Sequence, residues 1–406
     1  MSAATVPARP GTPAVGTLLA EIAAGAAERE RLDESPFAQV AAVAAAGLGR
    51  LSLPESEGGP GCSIRELLGF VTDLAEADPI VAHVLRTHYS QVLGFLRLPD
   101  PDVRRRWLDE VRAGKVFGNA ISETGSVSAG SHEFTTRLEE VGGGRWVLNG
   151  VKYYSTGTLY SDWIAVAARV EGSQEGTDQL ATVMVPVDRE GVSVIDDWDS
   201  MGQRRTGTGT TSFTDVAVGP EDVLVVRDRV APRPAGDVPF LQLYLHAVIA
   251  GILRGVVTDA AALVRSRTRT FDHAPSPQPV DDPILQETVG RLAATAWVAE
   301  AAVGTAADAV QAAEDAVRAG APTAEVGRTA SYAISAVKVH LDRVATDAAT
   351  ALFDVGGASA SGRARNLDRH WRNIRTITLH NPASYKATAL GRWHIAGEPL
   401  PVNGYF

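Results

Sequence analysis

The sequence is short of cysteine, of positive charge and of long uncharged apolar runs, and each shortage excludes something. Cys62 is the one cysteine in 406 residues, which excludes an intrachain disulfide and a cysteine-rich metal centre. No metal is expected. Acidic side chains outnumber basic ones, 48 to 38, for a net charge of −10. That balance argues against sequence-independent nucleic-acid binding, which depends on basic side chains meeting phosphates. No window of about 18 uncharged apolar residues is found, so no membrane span is expected. The apolar stretch from Val15 to Ala26 is broken by Glu21 and lacks the basic leader of a secretory signal. What is present, 45% apolar and 21% charged residues, suits a folded soluble chain of two or three packed subdomains. A cytoplasmic protein is the expectation.

Residues 1–13 are rich in small residues and proline and read as a flexible tail. From 14 to 117 the pattern is helical, with Val15, Leu18, Leu19 and Ile22, then Leu67, Phe70, Val71 and Leu74, at helical spacing. Residues 118–232 change texture. A strand, a turn at Gly142, Gly143 and Gly144, and a second strand occupy Glu139 to Gly150. Trp163–Val170, Leu180–Val187 and Thr211–Val218 are β-branched runs bounded by turn residues. Residues 233–406 are helical again: Val303, Val310 and Val317 recur at heptad spacing, and Val337, Leu341, Val344 and Leu352 form a second stripe. The order predicts an α+β fold with an N-terminal helical domain, a middle β-barrel or sandwich and a C-terminal four-helix bundle. The apolar stripes read as core and receive no chemistry.

Four polar segments stand out. Phe117 to Ser128 is dense in small residues and hydroxyls, which lets backbone N–H groups approach a planar, hydrogen-bonding ligand. Asn149 to Gly157 ends a strand in Tyr153 and Tyr154 followed by Ser155 and Thr156, able to stack on a ring and bond its edge. Met201 to Thr210 alternates Gly and Thr after two arginines, a pattern open to an anion-binding concavity. Val355-Gly356-Gly357-Ala358-Ser359 precedes Arg363, Arg365, Arg369, Arg372 and Arg375, a basic cluster in an acidic chain, suited to a phosphate. Ordinary polar loops and a salt-bridged helix face are the plain alternatives.

In this order the segments resemble the acyl-CoA dehydrogenase superfamily over nearly the whole chain. Ala120 to Ser128, Gly150 to Asp162 and Met201 to Val218 are similar to its three flavin signatures. Arg267-Thr268-Arg269-Thr270-Phe271 through Gln286 resembles the corner that reaches a neighbouring subunit's flavin. The dehydrogenases' glutamate base, commonly in a Tyr-Glu-Gly-Thr segment, has no counterpart in Ile377-Thr378-Leu379-His380-Asn381-Pro382. Loss of a positioned base removes the proton-transfer step of desaturation, although some members carry the base on another helix. Trp371 to Pro382, Arg86-Thr87-His88, Gly118-Asn119-Ala120 and the Gly356–Ser359 segment resemble instead the flavin-dependent monooxygenase branch typified by dibenzothiophene monooxygenases.

That resemblance implies a two-component enzyme. A separate reductase delivers reduced FMN, with FAD as the alternative, and a C4a-(hydro)peroxyflavin oxygenates a hydrophobic aromatic or heteroaromatic molecule at sulfur, nitrogen or an indole-type carbon. An acyl-CoA dehydrogenase or oxidase with a relocated base, and an amine N-oxygenase of the nitrososynthase kind, are the alternatives. His380 and His88 are expected beside the flavin ring, managing a proton. Asn119, Ser122, Tyr154, Ser155, Thr156 and Gly157 would hold the ring and ribityl chain. Gly356, Gly357, Ser359 and Arg369 would hold the phosphate with Arg267 or Arg269 of a partner subunit, so a homotetramer built as a dimer of dimers is implied. Ile377 and Asn381 replace a histidine and an aspartate of the sulfur-oxidising pattern Thr-His-Thr-Leu-His-Asp. They are expected to reshape the substrate pocket.

Overall fold

The chain folds in three consecutive parts, seen in a computed structural model that describes residues 8–124, 133–171, 179–229, 237–403 and 405–406. The first part is helical: α1 (Pro13–Ala23), α2 (Ala26–Leu32), α3 (Phe37–Ala45), α4 (Ile64–Ala77), α5 (Pro79–Val84), α6 (Arg86–Leu96) and α7 (Pro101–Arg112). Local chemistry sets the starts. Ser63 and Glu66 form a reciprocal capping box on α4, and Asp78 caps α5, which has Pro79 in its first turn. The described end of the expected tail is tied down: Arg9 pairs with Glu55 at 2.6 Å and donates to Pro60 O at 2.9 Å.

Eight strands follow: β1 (Phe117–Ala120), β2 (Arg137–Gly142), β3 (Arg145–Lys152), β4 (Trp163–Glu171), β5 (Gln179–Pro186), β6 (Val192–Ile195), β7 (Thr210–Val218) and β8 (Val223–Asp228). They form one sheet of order β6-β7-β3-β2-β4-β5-β8, and β1 also pairs with β4. The sheet forks along β4, whose first half runs parallel to β1 and whose second half runs parallel to β2. It does not close into a barrel among the described residues, since β6 and β8 are its ends. Leu138, Leu148, Ile164, Val166, Val183, Phe213 and Val216 fill its own core. The Gly142–Gly144 turn has all three residues at positive φ, as the β2–β3 hairpin requires.

The last part is α8 (Asp237–Ser266), α9 (Pro283–Arg318), α10 (Ala324–Gly356), α11 (Asp368–Thr378) and α12 (Ala383–Ala396). Helices α8, α9 and α10 pack on one another, α11 and α12 lie against α10, and α4 crosses to pack on α8 and α9. By length and apolar content α8 could cross a membrane, yet here it is the central core helix, with every residue from Val238 through Leu253 except Leu241 buried. Val303 and Val310 are buried as their spacing predicts, but Val317 is not fully buried, because it sits in the last turn of α9.

Candidate active site

One wall of the site comes from the sheet. Thr158 Oγ1 donates to Asn119 O at 2.9 Å, and Tyr153 N donates to Ser122 O at 2.8 Å. Beyond β3 the chain turns twice through positive φ, at Tyr154 and Gly157. There Ser155 N donates to Gly209 O at 3.2 Å and Gly157 N to Thr206 O at 2.9 Å. Thr208 Oγ1 donates to Thr156 Oγ1 at 3.0 Å. Three separate segments of sequence are thus stitched into one hydroxyl-rich surface. Helix α6 closes on it, with Thr87 Oγ1 donating to Phe117 O at 3.1 Å. Gly157 is compelled: a Cβ there would lie 2.5 Å from Val84 O. Ser155 Oγ is buried and without a partner, so a hydroxyl on this wall is left for something else to satisfy. Tyr154 is exposed and sets its ring edge against Trp198. Gly125 to Ser128 of the first segment lie outside the described residues.

The opposite wall is helical and cationic. His380 follows α11, and its ring is solvent-accessible although protein surrounds it. That combination describes an open recess. Arg86 Nη2 lies 3.5 Å from His380 Nε2. Because a guanidinium only donates, Nε2 is the acceptor and the imidazole proton is on Nδ1. Burial, then the charges of Arg86 and Lys338, push the His380 pKa well below the usual imidazole value, with His83 and His246 acting in the same sense. It is therefore neutral at physiological pH. Arg86 itself donates through Nε to Leu241 O at 2.9 Å.

His83 is the imidazole that sequence reasoning missed. Its Nδ1 is 2.8 Å from Gln203 Oε1, so Nδ1 carries the proton and Nε2 is left as an acceptor. Burial and the nearby Arg86 lower its pKa to about 4. Gln203 is held in turn: it has positive φ, and its N–H donates to Asn373 Oδ1 at 2.6 Å. Asn373 Nδ2 donates to Glu30 at 3.0 Å, which fixes the way round of that amide, since a carboxylate only accepts. The sequence signal for His83 was slight, an imidazole in the apolar turn Pro79–Val84 three residues before Arg86.

His88 is a correction. It is 2% exposed, stacks on Phe117 and directs Nε2 to Gly49 O at 2.9 Å, away from the recess. Burial lowers its pKa to about 4. Two residues along α6 turn a side chain by about 200°, so Arg86 faces His380 while His88 faces Gly49. A void of about 10 Å³ beside His88, lined also by Gly49 and Val116, has room for about one water. A second void of about 10 Å³ lies by Asp33 and Arg204. His380 lines neither.

The expected phosphate corner divides. Arg267 Nη1 donates to Val355 O at 2.9 Å, which brings its corner to the exposed turn at Gly357, Ala358 and Ser359. Ser359 Oγ donates back to Gly356 O, and Gly356 is a packing glycine whose Cβ would meet Ala360 at 2.5 Å. Arg269 is exposed. Arg369 does not join them. It donates to Asp259 at 2.6 Å and to Asn366 O at 3.0 Å, while His370 takes the same carboxylate at 2.8 Å. Arg372 ties α11 to Glu30 and Asp368. Arg369 and Arg372 are therefore structural, tied to Asp259 and Glu30 from distant parts of the sequence.

Ile377 is also corrected, from pocket to core: it is 3% exposed and packed in the helical cluster. Asn381 is buried, donates Nδ2 to Gln242 Oε1 at 3.1 Å and leaves Oδ1 without a partner. Gln242 and His246 are polar positions, one turn apart, on the apolar run of α8. His246 accompanies Lys338 at Asp342, to which Lys338 donates at 2.6 Å. Lys386 is buried beneath the Phe406 ring, 4.3 Å away.

Residues 15–115, 118–216 and 243–385 match the acyl-CoA dehydrogenase N-terminal, middle and C-terminal domains respectively. The dibenzothiophene monooxygenase of Mycolicibacterium goodii is 30% identical over 385 residues, 93% of this chain and 91% of that one. A probable FMNH2-dependent monooxygenase, SfnC of Pseudomonas putida, is 27% identical over 404 residues, 98% of each chain. The FMN-bound crystal structure of TdsC from Paenibacillus sp. A11-2 superposes with a TM-score of 0.89 at 27% identity, covering 97% of this chain and 98% of that one. This chain belongs to the flavin-dependent monooxygenase branch of the acyl-CoA dehydrogenase family.

Membership gives the two walls a meaning. A monooxygenase of this branch is a flavoprotein, and FMN is the flavin of its structural relative. The residues present fit such a group: a neutral, hydroxyl-lined wall with an orphaned Ser155 Oγ suits a ring edged with acceptors and an N–H.

Proposed function

We propose that the protein is the oxygenase of a two-component system, working in the cytoplasm with a separate reductase that supplies reduced FMN. The observation that carries this reading is the pairing of the walls. A hydroxyl-rich surface built by Asn119, Ser122, Ser155, Thr156 and Gly157 meets two neutral imidazoles, His380 and His83, held beside Arg86. Bound reduced flavin supplies the electrons for oxygen activation. The chain's own part is to orient the ring, exclude water and manage protons. His380 Nδ1–H would donate a hydrogen bond toward oxygen bound in the site, and His83 Nε2 would stand as an acceptor. The substrate is a small aromatic or heteroaromatic molecule oxygenated at sulfur, nitrogen or an indole-type carbon.

Arg269 of a neighbouring subunit, with Gly357 and Ser359, is assigned to the FMN phosphate, because Arg267 is engaged within its own chain. The partner is a second copy of this chain. Trp297, Ile284, Tyr385 and Ile395 are large apolar side chains left 61% to 89% exposed on the C-terminal helices, which suits burial in a dimer of dimers. Light scattering should give a tetramer, and a monomeric enzyme that holds FMN normally would remove the neighbour's arginine from the site.

The test uses photoreduced FMN. Mixed with the enzyme in aerated buffer, it should return to the oxidised form slowly, through a species absorbing to the blue of oxidised flavin. Reduction of the bound flavin by an acyl-CoA would instead establish a dehydrogenase with a relocated base.

A further inference from the structure

We propose that Arg86 is an oxyanion subsite in the His380 recess, so that the substrate carries a compact anionic group such as a sulfinate or a carboxylate. The proposal rests on reading the recess as the substrate site and adds a substrate class to it. Four other arginines drawn into the interior face carboxylates, whereas Arg50, Arg104, Arg267 and Arg375 are half-buried without one among the described residues. Arg29 meets Asp78, Arg97 meets Asp237 and Glu314, Arg254 meets Asp73 and Glu300, and Arg369 meets Asp259. Arg86 has none among the described residues. Its protein contacts are a backbone oxygen, Leu241 O, and the neutral ring of His380. Among the described residues its Nη1 has no hydrogen-bond partner, yet it is not one of the sealed buried orphan atoms. It is free toward the recess.

A desolvated guanidinium with no counter-charge is costly to keep. Among the described residues no carboxylate is bound to it. Lys338 adds a like charge and has already taken Asp342. His83 and His380 are neutral, and position 381 carries an amide, not an acid. Burial lowers the Arg86 pKa to about 10, the direction expected of a cation without a matching anion. A planar fork of donors facing open space fits a carboxylate or sulfinate, which accept two parallel N–H bonds.

The experiment compares binding of benzenesulfinate and its neutral relative methyl phenyl sulfone to the FMN-loaded enzyme by calorimetry, at one ionic strength. Wild type should bind the sulfinate at least about tenfold more tightly. Arg86→Gln should lose about thirtyfold for the sulfinate, the size seen when a buried charge loses its partner, and leave the sulfone unchanged. Arg86→Lys, which keeps charge without the fork, should retain part of the preference and guards against misfolding of the first variant. Arg363→Gln, at an exposed position, is the control. Equal affinities in wild type overturn the proposal, as does a preference that survives in Arg86→Gln. A variant that loses FMN while keeping the preference would put Arg86 against the flavin and also overturn it. Failure of the oxygenase reading shows separately, as a wild-type enzyme that takes up no FMN.

Discussion

The two walls solve the burial of charge in opposite ways. On the sheet side Lys152 is fully buried, but Glu123 lies 2.7 Å from it, and the cation stands over the Phe134 ring at 3.7 Å. Burial alone would raise the Glu123 pKa. The Lys152 and Thr135 hydrogen bonds overcome that and lower it to about 2. On the helix side Arg86 and Lys386 are surrounded by protein with no carboxylate bound to either among the described residues. A matched buried pair is a fixed structural joint, whereas an unmatched cation is a demand for a ligand or a proton exchange. The sheet wall is thus built to hold and the helix wall to react.

The largest expected effect breaks the reactive wall. His380→Ala should cut oxygenated product about a hundredfold, the usual weight of a positioned proton donor. Hydrogen peroxide release should rise while the melting temperature stays near wild type, and unchanged coupling would take His380 out of the mechanism. Next comes the holding wall. Gly157→Ala forces a Cβ against Val84 O and a residue with a side chain into positive φ. It should cost about 2 kcal/mol or more in urea unfolding and weaken FMN binding.

A pH series sharpens the comparison. Burial and the neighbouring Lys338 lower the Lys386 pKa to about 7, so between pH 7 and 10 the unfolded chain holds more protons there than the folded one. Stability contributed at this site should therefore rise as pH climbs from 7 toward 10, and be lowest below 7, where the buried ammonium must be carried. Lys386→Met should flatten that slope, which is on the order of 1 kcal/mol per pH unit at its steepest. A slope unchanged in the variant would assign it elsewhere. Smallest is His88→Gln, expected to cost about 1 kcal/mol for the bond to Gly49 O. Product coupling should stay as in wild type, and a large coupling defect would return His88 to the site.

Much of the fold was legible because it is written in short-range periodicity. Leu67, Phe70, Val71 and Leu74 had to lie on one helix face, and the three glycines at 142–144 had to turn a hairpin. The forking of β4 between β1 and β2 was not legible, since it depends on pairing between strands far apart in sequence. The sheet-side wall could be read because its hydroxyls and glycines are consecutive. Most of the helix-side wall could not, because α5, α6, α8, α10 and the turn after α11 each contribute only one or two side chains. His88 misled for the same reason, since one residue along a helix swings a side chain by about 100°.

From the sequence alone came the helix–sheet–helix order and the four polar segments, which depend on residue type at short spacing. The missing glutamate and the interest in His380 came from the resemblance to the superfamily and its monooxygenase branch. Tertiary structure decided that His83 and not His88 joins His380, that Arg369 belongs to Asp259, that Ile377 is core, and that Arg86 lacks a counter-charge. Those outcomes depend on which distant carboxylates and carbonyls arrive beside a side chain, and only packing brings them there.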